Sequence, residues 1–194
     1  MDPHDLALAY ALSTIAGLRA SLTIAAISLA VHLHWLAPPD ALHWLASDAT
    51  LAIASVLAAA EFLADKIPVV DHALHVVHVF LAPVAGGTAA LAADPSNSDS
   101  GAIVTAVLAG SYALAIHGLR SAARAASSAI SLGALNPLAS LGEDAIAIGV
   151  LTAAFFAPIT VAAIVLLVTA IAVMAVRRML AAAKARSTTA VLSP

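Results

Sequence analysis

Ionisable residues inside an otherwise apolar chain are the features of this sequence most able to do chemistry. Arg19 lies near the middle of the first long apolar segment, about residues 6–31. A guanidinium keeps its charge at any relevant pH, so in lipid it needs a carboxylate, backbone carbonyls or water. We expect an internal salt bridge of structural importance, or direct contact with an anion or substrate. Snorkelling to the interface is difficult from mid-span.

The densest polar stretch runs from Glu61 to His78. Asp71, His75 and His78 follow an i, i+4, i+7 pattern and share one stripe, because a helix turns by about 100° per residue. Carboxylate and imidazole groups at this spacing suit Zn²⁺ or another divalent metal ion. They equally suit a proton or ion pathway, because histidine titrates near neutrality. An interfacial helix whose histidines face headgroups is a third interpretation.

A third polar group opens the fifth apolar segment, where Glu143 and Asp144 are adjacent. Adjacent helical residues point about 100° apart, so one acid is expected to pair with Arg19 or Arg120 while the other faces a cavity. Acids from several segments would then build one chamber, with His117 at its edge. The expected ion or substrate pathway consists of Arg19, Glu61, Asp65, Asp71, His78, Arg120, Asn136, Glu143 and Asp144.

The composition explains why these groups stand out. Of 194 residues, 62% are hydrophobic and 10% are charged, whereas an average soluble domain carries about 25% charged residues. A water-soluble fold of this size could not bury so much apolar surface, so the partner of most of the chain is the lipid bilayer. The net charge of −3 argues against nucleic acid. Cysteine is absent, which excludes disulfides and thiolate metal sites.

Apolar segments long enough for a bilayer predict an all-α, polytopic membrane protein with about six transmembrane helices. Crossing about 30 Å of hydrocarbon takes roughly 20 residues. The segments lie at about 6–31, 49–63, 69–92, 102–119, 138–156 and 159–179. Breaks or kinks are expected near Pro68, Pro83, Pro137 and Pro158, the last being either a tight turn or a kink. We expect a single transmembrane domain over 1–186 and a flexible tail over 187–194.

The basic residues predict the orientation, because lysine and arginine near helix ends favour the cytoplasmic side. With six crossings and the N-terminus inside, seven of the eight basic residues fall on the cytoplasmic side. They are Lys66, Arg120, Arg124, Arg177, Arg178, Lys184 and Arg186. We therefore expect both termini to be cytoplasmic.

The segment Glu61 to Pro68, which reads E-F-x-x-D-K-x-P, resembles the hallmark of one bacterial family of integral membrane proteins. Further matching motifs are Gly17-Leu18-Arg19, Pro83-Val84-Ala85-Gly86, Asn136-Pro137 and Ser140 to Asp144. The family is catalogued only as a domain of unknown function, and the resemblance covers about residues 10–180. It implies a small all-helical protein of the bacterial inner membrane, with no established activity. The resemblance also implies that Asp71 and His78 belong to the family pattern, whereas His72 and His75 are particular to this chain.

Three functions remain open from the sequence. The favoured one is a transporter or channel for a small ion or solute that uses the carboxylate and arginine network. The first alternative is a membrane-embedded metal-dependent enzyme acting on lipid, with a divalent ion on Asp71, His75 and His78 and with Glu61 or Asp65 as general base. Because standard catalytic signatures are absent, an enzyme is less favoured. The second alternative is a structural or assembly protein, and the many small residues make a homo-oligomer plausible.

Overall fold

The computed structural model describes residues 2–64, 68–94, 99–131 and 136–192, and the side chains of 2–64, 74–94, 101–127 and 138–178. Within these ranges the chain forms helices and no strands. The helices are α1 (Pro3–Leu18), α2 (Ala20–His32), α3 (Asp48–Ala64), α4 (Pro68–Ala93), α5 (Asp99–Ser131), α6 (Asn136–Phe156) and α7 (Pro158–Leu192), with a 3₁₀ helix at Asp40–Ala46. The predicted all-helical fold is confirmed.

Proline begins several of these helices, as its fixed φ angle and missing N–H favour. Pro68 is the first residue of α4, Pro137 the second of α6 and Pro158 the first of α7. Pro83 stands inside α4, which continues beyond it to Ala93. The division into one domain and a tail stays a prediction.

The first predicted span is broken at Arg19. This residue has φ −146° and ψ 85°, between the end of α1 and the start of α2. Its N–H donates to the Ile15 carbonyl at 2.6 Å, and its own carbonyl accepts from Thr23 N–H at 3.1 Å. The first N–H groups of α2 therefore have no acceptor within their own helix.

The chain folds back at this break, so α1 and α2 form a hairpin. Trp35, just beyond α2, packs against Phe155 and Phe156 with ring centroids 5.9 and 5.8 Å away. Pro3, at the start of α1, lines a cavity together with Ala162. A straight rod would hold the far ends of α1 and α2 about 45 Å apart. Both ends instead lie beside the junction of α6 and α7.

The last two helices form a second hairpin. α6 passes the break between α1 and α2, where Asp144 contacts Arg19, and ends beside the aromatic cluster. α7 then runs back alongside α1, since Tyr10 hydrogen-bonds Thr169. Only Ala157 separates the two helices. The segment predicted as a turn or a kink is therefore a tight turn.

Small residues bring α1, α4 and α5 into backbone contact. A Cβ on Gly17 would lie 2.4 Å from the Ala113 carbonyl oxygen, and one on Gly110 would lie 2.6 Å from the Pro83 carbonyl oxygen. Ser13 Oγ adds a hydrogen bond to the Gly86 carbonyl at 3.1 Å. Such close approach is typical of helices packed in lipid, where the gain comes from van der Waals contact.

In the part of the chain that the structure describes, four helices contain stretches long and apolar enough to cross a membrane: Leu74–Ala93, Gly101–Ser127, Leu138–Phe156 and Pro158–Arg178. A fifth is obtained if the 3₁₀ helix and α3, bent by 67°, count as one span. The prediction of a helical protein with several membrane-spanning segments is confirmed, with four or five candidate spans among the described residues where about six were expected. The 16 residues of α1 extend for about 24 Å, less than the roughly 30 Å of hydrocarbon.

The hairpin also determines at which end of the bundle the described helices begin and end. We call the end of the bundle that carries Pro3, Trp35 and Ala157 the acidic end, and the opposite end the basic end. α1 starts at the acidic end, whereas α7 starts there and runs away from it. The two ends of the described chain therefore lie at opposite ends of the bundle.

The backbone contact between α4 and α5 predicts a position-specific effect of glycine substitution. Gly110→Ala places a methyl group against the Pro83 backbone, which cannot move aside as a side chain can. We expect a loss of about 1–3 kcal/mol of stability, measured as a lower unfolding midpoint in detergent. Gly118→Ala, in the same helix with open space around its Cβ position, is the control and should be neutral or slightly stabilising. Equal midpoints for the two variants would contradict this packing.

Candidate functional site

A buried ion pair holds the tip of the first hairpin. The Arg19 side chain is 1% exposed and its Nη2 contacts Asp144 Oδ1. The ring of Phe62 lies 5.1 Å from the guanidinium carbon, a cation–π contact. The carboxylate of α6 thus compensates a charge that would be costly in lipid if left alone.

The N-terminus of α2 is capped by another helix. Glu61, near the end of α3, is 3% exposed. Its Oε1 accepts hydrogen bonds from the N–H of Ser21 at 3.1 Å and from the Ser21 hydroxyl at 2.5 Å. A helix N-terminus is the positive end of the helix dipole and favours an anion. Arg19, at the N-cap position, makes no side-chain capping bond, so the carboxylate of Glu61 supplies the cap.

Glu61 and His78 face each other inside the bundle. His78 Nδ1 lies 3.0 Å from the Leu74 carbonyl, which can only accept a hydrogen bond. His78 Nε2 lies 3.1 Å from Glu61 Oε1. This contact is an ion pair when the imidazole is protonated.

Two further histidines continue from this pair. The ring of His117 stacks on His78 at a centroid distance of 5.8 Å and on His75 at 4.8 Å. His117 is 2% exposed, and neither of its ring nitrogens has a hydrogen-bonding partner among the described residues. His75 is exposed, and its Nδ1 lies 3.2 Å from Ser121 Oγ. We call Glu61, His78, His117 and His75 the histidine series; it leads from the hairpin tip towards the basic end.

A cavity of about 290 Å³ reaches the same tip from the other direction. It lies between α2, α3 and α4 and extends from Trp44 and Thr50, near the acidic end, to Ser21. The remaining lining is apolar: Ala20, Ile24, Ile53, Ala54, Leu57, Leu81, Val84 and Ala85. The cavity and the histidine series therefore meet at the α2 N-terminus.

A second ionic cluster lies further along α5. Glu143 accepts from Arg120 Nε at 2.8 Å and from Arg124 Nη2 at 3.0 Å. These side chains are only partly buried, between 8% and 22% exposed. These ion pairs connect α5 with α6, between the hairpin tip and the basic end.

The predicted pathway residues whose side chains the structure describes meet as pairs of opposite charge. The pairs are Arg19 with Asp144, Glu61 with His78, and Arg120 with Glu143. Asp65 and the side chains of Asp71 and Asn136 lie outside the described residues. Ser21 was missed because nothing in its type or spacing separates it from other helical serines.

The predicted metal site is not assembled by the residues that are described. His75 and His78 flank the His117 ring, and the third expected ligand, Asp71, lies outside the described side chains. Within the described part of the chain, three potential ligand atoms come within 4.8 Å of one another only at Asp2, His4 and Asp5, which are largely exposed.

The acidic end is built from capping carboxylates. Asp2 accepts from the N–H groups of Asp5 and His4 at 2.8 Å each, and these bonds hold the pKa of Asp2 below its usual value. His32 bonds to the Ser28 carbonyl and lies 3.1 Å from Asp48, which together raise its pKa. This end therefore differs in charge from the opposite end with its arginines.

The comparison with known proteins places most of this arrangement within one family. Residues 6–178 match the family described as Domain of unknown function (DUF4126). The chain belongs to this family. The match confirms the resemblance expected from Glu61 to Pro68 at the level of the family and includes both hairpins and the histidine series. No curated protein and no solved structure matches the chain.

The buried ion pair predicts non-additive effects of substitution. Asp144→Leu should cost about 3–5 kcal/mol, because it leaves the Arg19 charge buried without this carboxylate. Adding Arg19→Met should recover a large part of that loss. Unfolding in mixed micelles measures each variant. Glu143→Gln, in the more exposed cluster, is the control and should cost less than about 1 kcal/mol. Additive losses in the double variant would contradict the pairing.

Proposed function

We propose that this protein transports a small ion or solute across the membrane in a process coupled to protons. The observation that carries the proposal is the histidine series, which begins at a helix N-terminus inside the bundle and leads to the exposed His75. The cavity that ends at Ser21 supplies the other half of a path between the two ends of the molecule.

The chemistry of the series favours proton transfer. An imidazole ring can bind a proton at one nitrogen and release one from the other. His117 lies between two other histidines, and neither of its ring nitrogens has a hydrogen-bonding partner among the described residues, so one of them could accept a proton and the other could donate to water. Buried ionisable groups are expensive in a membrane, and their usual use is in ion pathways and proton relays.

The helix break at Arg19 favours transport in a second way. Backbone that interrupts a helix at membrane depth is tolerated only where it is buried in protein or lines a cavity. Transporters use such interruptions to direct helix N-termini at anionic groups. The break at Arg19 directs the α2 N-terminus at a carboxylate, beside a cavity.

We also propose that the protein lies in the bacterial inner membrane with its basic end in the cytoplasm. The basic residues of α5 and α7 support this orientation through the positive-inside rule. With α1 and α2 as a returning hairpin, residue 3 then lies outside and the end of α7 inside. This replaces the expectation of two cytoplasmic termini.

The absence of cysteine makes the orientation easy to test. Single cysteines at His43 and Arg178, which are both exposed, are treated in intact cells with a membrane-impermeant maleimide. We expect His43→Cys to be labelled in intact cells and Arg178→Cys only after lysis. The reverse pattern would contradict the orientation, and labelling of both from one side would contradict the returning hairpin.

Proton movement is tested directly in proteoliposomes. With a potassium gradient and valinomycin setting the potential, proton uptake is followed with a trapped pH dye. Glu61→Gln and His117→Phe should each lower uptake at least about tenfold, because either change interrupts the series. His43→Gln, an exposed histidine away from the series, is the control and should leave uptake unchanged. Unaltered uptake in both test variants, with folding intact, would overturn the proposal.

A further inference from the structure

The carboxylate of Glu61 sits where a separate anion would be bound. Ser21 donates two hydrogen bonds to Oε1, from its N–H and from its hydroxyl. The α2 helix that presents these donors has 13 residues. Glu61 Oε2 is buried without a hydrogen-bonding partner among the described residues. The carboxylate is thus held through one oxygen, whereas buried polar atoms are usually all satisfied.

Ser21, which bonds this carboxylate, also lines a cavity with the character of a binding site for an apolar group. The cavity holds about 290 Å³, just below the roughly 300–1,000 Å³ range of ligand pockets. Ile24, Leu57 and Leu81 form its walls, and Ser21 is its polar residue at the hairpin tip. Small-molecule sites commonly combine such apolar walls with a few convergent polar groups.

We propose that the α2 N-terminus is a binding site for a monocarboxylate with a short apolar tail, and that Glu61 occupies this site in the present structure. The ligand carboxylate takes the two donors of Ser21, and its tail lies in the cavity. This names the substrate class of the transport proposed above and rests on that proposal only for the movement of the ligand, not for its binding.

Glu61 can leave the α2 N-terminus because a second partner is in place. His78 lies 3.1 Å away on α4, with His117 of α5 stacked behind it. Arg19 and Asp144 are the charged groups on the far side of the hairpin tip and neutralise each other. A proton delivered along the histidine series neutralises or pairs the displaced Glu61. Entry of the carboxylate and of a proton are thereby linked.

Removal of the Glu61 side chain tests the site by chemical rescue. Glu61→Ala leaves the donors of Ser21 without their carboxylate, so its unfolding midpoint in detergent should fall. Sodium formate, acetate, butyrate and hexanoate are then titrated at constant ionic strength. We expect each to restore the midpoint, with the half-maximal concentration falling roughly fourfold per added methylene that enters the cavity.

Matched variants separate the head of the ligand from its tail. Adding Ser21→Val to Glu61→Ala should abolish rescue by every acid. Adding Ala54→Leu, which fills the cavity, should keep rescue by formate and remove the dependence on tail length. Hexanol tests partition of an apolar tail alone and should give no rescue.

If Glu61→Ala does not fold, a second variant, Glu61→Gln, tests the site. Glu61→Gln keeps the shape of the side chain, and binding of radiolabelled butyrate to purified protein should be at least about tenfold tighter in it than in the unaltered chain at neutral pH. Absence of butyrate binding in Glu61→Gln would overturn the proposed site. Rescue that is equal for formate and hexanoate, or affinity that keeps rising up to dodecanoate, would overturn the assignment to a short-chain acid. Binding without proton uptake in liposomes would instead reject the transport proposal alone.

Discussion

A chain that reverses direction inside a bilayer must satisfy its polar groups without water, and this constraint organises the molecule. The break at Arg19 exposes N–H groups of α2 and places a guanidinium at the same depth. Glu61 accepts a hydrogen bond from the N–H of Ser21, and Asp144 pairs with the guanidinium of Arg19. Because these acids belong to α3 and α6, both helices have to pass the tip of the first hairpin. The cavity and the histidine series lie where they do because the tip lies there.

The sequence predicts the helices and the need for pairing, but not the reversal. Long apolar runs and the cost of charge in lipid suffice to predict helices whose arginines meet carboxylates. The break lacks such a signal: it has no proline, and apolar residues continue on both sides. Its cause is tertiary, since α1 can end at Leu18 only where partners from distant helices are ready. The pattern of residues 6–31 therefore predicts one span, whereas the segment forms two helices that fold back on each other.

The histidines show a similar limit to what the sequence predicts about the site. Their spacing predicts that His75 and His78 share a face of α4, and both do stack on one ring. The ring belongs to His117 of α5, and a periodic pattern on one helix does not tell which helix it faces. A stripe of potential ligands on one helix therefore predicts a metal site and a proton relay equally well. Asp71, Asp65 and Asn136 stay predictions, because their side chains lie outside the described residues.

The ion pair between Arg19 and Asp144 also has a consequence for synthesis. The two residues are 125 positions apart, so the first hairpin leaves the ribosome long before its carboxylate partner exists. Until α6 emerges, the guanidinium has to remain in the translocon, near the headgroups or against a chaperone. The N-terminal hairpin therefore reaches its final packing late in biogenesis. A chain truncated before α6 would be degraded by membrane quality-control proteases.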